Sequence, residues 1–272
     1  MKRKSQSTTS KSQTAASKLT GITDKLPAVI ALLGILIIWQ LVCMTGIVPS
    51  YMLPSPVQVL AALINDIETI MFHAKFTLQE TFYGLAIGIV LSFIGATMMD
   101  RFAVIDRAFY PLMIITQTIP TIAIAPILVL WFGFDMAPKI ILVVLTTYFP
   151  IAIGLLDGYK SVDKDEIDLM RSMGAGRIDI FRHVKFPAAL PHFFSGLKIA
   201  SSYAVVGAVV SEWLGGFNGL GVYMTRMRKA YAFDNMFAVI ILIIVISLLL
   251  LLLVNIISKA SMPWKRAEHE EA

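Results

Sequence analysis

Six stretches of this chain run for 17 to 25 residues with a single charge among them, Lys198. They are Leu26–Met44, Phe82–Met99, Ala108–Phe132, Ile140–Leu156, Phe193–Val210 and Phe237–Ile257. Such runs leave few options. Crossing about 30 Å of hydrocarbon takes about 20 residues. A lipid-buried backbone must satisfy its own polar groups, which a helix does within each segment. The composition, 57% hydrophobic, excludes an ordinary soluble domain. The expectation is an all-α integral membrane protein with six transmembrane helices. Residues 1–25 form a disordered basic tail, 26–258 the membrane domain with a polar loop at 157–191, and 259–272 a second tail. The one cysteine, Cys43, excludes an intrachain disulfide.

The basic residues predict orientation. Six lie before the first run (Lys2, Arg3, Lys4, Lys11, Lys18, Lys25), two between the second and third (Arg101, Arg107), six in the 157–191 loop and three after the last run. The opposite side holds five: Lys75, Lys139, Arg226, Arg228 and Lys229. Seventeen against five places both termini and the polar loop in the cytoplasm. A cleaved signal peptide is the rival reading of the start. The length of the tail and the lack of a small-residue cleavage site favour a retained helix.

The polar loop reads as two short helices. Asp163 is a candidate N-cap, with Glu166 three residues on as its capping-box partner. Asp165, Glu166 and Asp168 crowd the first turn and Arg171 the last, as the helix dipole favours. Gly174 stands where a left-handed C-cap belongs. A second helix runs from about Arg177 to Val184 until Pro187 and Pro191 stop it. Ile167, Leu169, Met170 and Met173 lie on more than one face, enough to pack on the membrane domain and meet a partner. A solvated loop packed on the helix ends is the plainer alternative.

The order Asp168-Leu169-Met170, three residues, Gly174-Ala175, Arg177, then Phe186-Pro187-Ala188-Ala189-Leu190-Pro191 resembles the EAA loop of permease subunits of binding-protein-dependent ABC importers. Asp168 stands for the family's Glu, and Leu169 and Met170 for its two alanines. The resemblance implies a type I ABC importer permease fold in a bacterial inner membrane. Asp165, Glu166, Asp168, Leu169, Met170, Arg171, Gly174, Ala175 and Arg177 would then couple the chain to a separate ATPase subunit. Further implied partners are an extracytoplasmic substrate-binding protein and a second permease copy, in membrane lipid.

Leu53-Pro54-Ser55-Pro56 is similar to the nitrate, sulfonate and taurine branch of that family. It opens a helix with Ser55 as N-cap and Gln58 at the third position. Leu60, Leu63, Ile64, Ile67, Ile70 and Met71 fall on one face, as in a helix lying on the outer membrane surface. Gly84, Gly88, Ser92 and Ala96 in the second span, and Gly196, Ala200, Ala204 and Ala208 in the fifth, repeat every four residues. Small residues at that spacing let helices approach closely, within one subunit or across a dimer.

The third span carries Thr116, Gln117, Thr118, Pro120, Thr121 and Pro126. Each proline removes a backbone donor and kinks the helix. Uncharged polar side chains beside a kink make Gln117, Thr118, Pro120 and Thr121 candidates for a translocation path; interhelical hydrogen bonding is the alternative. Gln117 to Gly133 resembles the same permease branch, as does Glu212 followed by a Gly-rich turn, Gly215 to Gly221. Glu212 is expected at an outer gate, held by neighbouring backbone donors, or as a structural cap.

No phosphate-loop motif occurs, so ATP and Mg would be bound by the partner ATPase, with no cofactor in this chain. Metal-ligand clusters and catalytic constellations are absent from the sequence too, and His73, His183, His192 and His269 are scattered. An ion-coupled secondary transporter is the alternative function; those place ionisable groups or broken helices at the midplane. The branch suggests a sulfonate, nitrate, taurine-like anion or thiamine-precursor pyrimidine as the solute.

Overall fold

The computed structural model describes residues 26–46, 48, 49 and 51–263. The predicted tail 1–25 and the end of the second tail lie outside the described residues. The order is α1 Leu26–Met44, α2 Pro56–Asn65, α3 Ile67–Arg101, α4 Ala103–Thr118, α5 Thr121–Phe132, α6 Met136–Lys160, α7 Lys164–Ser172, α8 Arg177–Ile180, a π-helical turn Phe181–Lys185, α9 Phe186–Leu214, α10 Leu220–Lys229 and α11 Phe233–Ser261. Among the described residues, four helical stretches are long and apolar enough to cross a membrane: α3, α6, α8 through α9, and α11. The pair α4 and α5 makes a fifth if it is counted as one span. The first predicted span, α1, is a 19-residue helix without a charge.

At 1.5 Å per residue the 35 residues of α3 reach about 52 Å, well beyond the hydrocarbon thickness. Its ends therefore stand outside the apolar layer.

The core is built along α6, which packs against α3 and α9. Leu142, Val143, Ile151, Leu155 and Leu156 of α6 are buried. The four-residue stripes make this packing possible. A Cβ at Gly84 would come within 2.5 Å of Val143 Cβ, and one at Gly196 would strike the Pro150 carbonyl. Ser92 Oγ donates to the Tyr148 carbonyl at 2.9 Å. Ala200, Ala204 and Ala208 are buried. Both stripes are thus used inside the chain.

Two expectations are corrected near the start. The stripe Leu60 to Met71 does not lie on one helix. α2 ends at Asn65, and Ile67, Ile70 and Met71 belong to α3. The cause is Asp66: its backbone leaves helical geometry, and its carboxylate accepts from the Tyr223 hydroxyl. Burial, then this carboxylate, pushes the Tyr223 hydroxyl up from its ordinary range. α2 buries Val59 and Ala62 and packs against α11, while Leu60 and Ile64 are exposed. The Ser55–Gln58 capping box forms as expected.

The prolines after the polar loop do not stop the helix; Arg177–Leu214 is one 38-residue stretch. Pro187 sits in the first turn after the π-helical segment, where the change of register absorbs its missing donor.

Candidate functional site

Three regions carry the sequence-predicted residues. The first is the polar loop. Asp163 caps α7 through Oδ1, which accepts from Asp165 N at 3.1 Å. The expected capping box with Glu166 does not form, because the short Asp163 side chain engages the second backbone N–H of the helix rather than the third. The far end closes as expected. Gly174 has φ +83°, and Ala175 N donates to the Met170 carbonyl at 3.0 Å. Gly176 N then donates to Asp179 Oδ2 at 3.0 Å, which starts α8.

α7 buries none of its residues. Ile167 and Met170 are half-buried. Leu169, Met173 and Ile178 expose 61, 75 and 80% of their surface beyond the apolar spans. Asp165, Glu166, Asp168, Arg171 and Arg177 are exposed and Ala175 is half-buried. The Arg171–Asp168 pair at 2.9 Å is open to water and contributes under about 1 kcal/mol. Lys185 anchors the loop's return to α3 through both oxygens of Asp100, at 2.7 and 2.8 Å. Lys160 ties the end of α6 to Asp106 of α4 at 3.0 Å.

The second region is the elbow between α4 and α5. The expected kinked span is broken into two helices at 99°. Ile119 is extended, the conformation a residue before proline adopts, and Pro120 has no N–H to continue the ladder. α5 runs through Pro126 without ending. Gln117, Thr118 and Pro120 are exposed and Thr121 half-buried. Thr118 Oγ1 returns its proton to the Ile115 carbonyl at 2.7 Å. Among the described residues, the polar cluster therefore faces out of the chain's own fold.

Glu212, expected near the outer end of the fifth span, is in the last turn of α9 and 1% exposed. Its Oε1 accepts from Thr77 Oγ1 and its Oε2 from Gly221 N, both at 2.7 Å. Thr77 Oγ1 accepts from Leu220 N at 2.9 Å, and His73 Nδ1 accepts from Gly219 N at 3.1 Å. Side chains of α3 and α9 thus hold three successive N–H groups at the start of α10. Gly219 has φ +125°, and a Cβ there would overlap the Glu212 carboxyl group. Glu212 is placed to pin the Gly-rich turn, and Gln117 and Thr118 belong to a separate surface.

Sequence reasoning missed four partners of this turn: His73, Thr77, Glu80 and Lys139. Lys139 was expected as an outer-loop cation, and Lys198 as the only charge inside a span. Lys139 instead lies 4% exposed and donates to Glu80 Oε1 at 2.8 Å and to the Asn218 carbonyl at 3.2 Å. A signal existed. Glu80 extends the four-residue register of Gly84, Gly88, Ser92 and Ala96 by one step, beyond the predicted start of the span at Phe82.

Residues 84–266 match the family described as binding-protein-dependent transport system inner membrane component. The chain is 36% identical over 238 residues to the formylaminopyrimidine transport permease protein ThiX of Halalkalibacterium halodurans, covering 87% of this chain and 94% of that one. It is 28% identical over 247 residues to the putative aliphatic sulfonates transport permease protein SsuC of Bacillus subtilis, covering 89% and 87%. Among solved structures, an inward-facing MetNI methionine ABC transporter superimposes with a TM-score of 0.57 at 19% identity, over 71% of this chain and 94% of that one. An amino acid ABC transporter superimposes with a TM-score of 0.61 at 16% identity, over 74% and 97%. These two likenesses concern the fold.

Proposed function

As a member of the family of binding-protein-dependent transport system inner membrane components, the chain is a permease subunit of an ABC transporter, and we propose that it carries a small solute inward as one half of a permease dimer. Six crossings, counting α1 and treating α4 with α5 as one broken span, would leave both termini and α7 on one side, which in this reading is the cytoplasm. The basic asymmetry of the sequence supports that orientation. A substrate-binding protein delivers the solute on the side of the Gly-rich turn. A separate ATPase subunit binds ATP and Mg and seats α7.

The observation that carries this reading is α7 itself. A short capped helix with no buried residue leaves Leu169 and Met173, one turn apart, uncovered among the described residues. The polar elbow supports the second half. Gln117, Thr118 and Thr121 at a helix break are costly against lipid and suit a path lined jointly with a second copy. The relatives named for formylaminopyrimidine and aliphatic sulfonates direct the search for the solute to those two classes.

The test is the attachment of the ATPase. Leu169, Met173 and Ile178 replaced together by Ser should leave membrane insertion intact and abolish co-purification of the ATPase subunit. Full co-purification would refute the docking role of α7.

A further inference from the structure

Three helices bring two carboxyl groups and one ammonium together in a dry place. Glu80 of α3 and Glu212 of α9 are each 1% exposed, and Lys139 of α6 is 4% exposed. Lys139 Nζ occupies Glu80 Oε1. Thr77 Oγ1 and Gly221 N occupy the two oxygens of Glu212. Glu80 Oε2 is buried and has no donor among the described residues. Thr77, which donates to Glu212 Oε1, lies one turn before Glu80 on the same face of α3, so the Glu212 carboxyl group is held beside that of Glu80.

Two ionised carboxylates cannot hydrogen-bond, since both are acceptors. Ionised together, they would set two negative charges against one ammonium and leave Glu80 Oε2 unpaired. Removing such charge from water uncompensated is among the costliest arrangements in a protein.

The other charged or titratable groups around the cluster do not supply the balance. His73 accepts from Gly219 through Nδ1, so any proton on its ring is at Nε2 and the imidazole is neutral. Asp66 is engaged by the Tyr223 hydroxyl, and Arg226 donates to the Phe217 carbonyl. A metal ion does not fit either. Among the described residues no three ligating side chains gather, and Lys139 already fills the cation's place.

We propose that Glu80 and Glu212 form a one-proton binding site, a carboxylic acid–carboxylate pair brought to zero net charge by Lys139. The shared proton gives Glu80 Oε2 its missing partner and ties α3 to α9 beside the Gly-rich turn. A movement that parts α3 from α9 must either release this proton or admit water to it. The proposal does not depend on the transport reading, because it concerns the protonation state of the chain at rest.

The experiment is infrared spectroscopy of the full-length chain in lipid nanodiscs at neutral pH, in ordinary and in heavy water. The wild type should show a protonated-carboxyl C=O band that shifts on deuteration. Glu80→Gln and Glu212→Gln should each abolish it, because the amide then donates to the one remaining carboxylate. Absence of the band in the wild type overturns the proposal, as does its persistence in both variants. If a glutamine variant fails to fold, Glu80→Asp keeps the acid and changes its reach. The band should then move, and an unmoved band counts against the site.

Discussion

Gly174 offers a graded test of how α7 is held. Its φ of +83° lies in the left-handed region, and a Cβ built on it meets nothing within 4 Å. The cost of a side chain there is therefore backbone strain without a clash. For Ala the left-handed region costs about 1–2 kcal/mol. A β-branched residue in so sparsely populated a conformation costs about 1–3 kcal/mol. Asn tolerates the region best of the non-glycine residues. α7 has little with which to offset the strain. It is nine residues long, too short to be stable alone, and it buries no side chain. About 2 kcal/mol shifts a local equilibrium by roughly 30-fold. The series Gly174→Asn, Gly174→Ala, Gly174→Val should thus lose ATPase co-purification and solute-coupled ATP hydrolysis progressively. The thermal midpoint of the membrane core should stay unchanged, since α3, α6 and α9 are untouched. Wild-type attachment and coupling in Gly174→Val would refute the claim that the left-handed closure presents α7 to its partner.

Three further outcomes follow from other parts of the molecule. Lys139→Met removes the only ion-pair partner that Glu80 has among the described residues and should destabilise the chain by about 3–5 kcal/mol; an unchanged thermal midpoint would contradict the pairing. Gln117→Leu with Thr118→Leu should cut transport in a reconstituted complex while sparing assembly and basal ATP hydrolysis, and a wild-type transport rate would remove both residues from the path. A cysteine placed at Asn218 should react with an impermeant label from outside intact cells and one at Lys164 should not; the reverse pattern would invert the topology.

The apolar runs and the small-residue stripes told most of the fold in advance, because both reflect local requirements. A span must be apolar, and helices in close contact must carry small residues on the facing side. Gly174 was legible for the same reason, since only its own backbone demands it. The angle between α4 and α5 was not. Pro120 announces a break, but the 99° turn depends on how α5 packs against α6 and α9, and the contact with α9 joins residues distant in sequence. The Glu80–Lys139 pair was hidden by the polarity that makes it notable. Charge ends a hydropathy window, so the window stopped at Phe82 and assigned both residues to water. Glu212 stood out beside its glycines, yet its partner Thr77, and His73 that holds the same turn, lie more than 130 residues away in sequence.

Uptake into proteoliposomes tests most directly whether this chain moves solute only as part of an ATP-driven assembly. The chain is reconstituted with its ATPase subunit and binding protein and offered labelled formylaminopyrimidine and, separately, an aliphatic sulfonate. Uptake of one of them should require all three proteins and ATP inside or outside according to ATPase orientation, and should be indifferent to an imposed proton or sodium gradient. Uptake by the chain alone, driven by such a gradient and unaffected by ATP, would contradict the account.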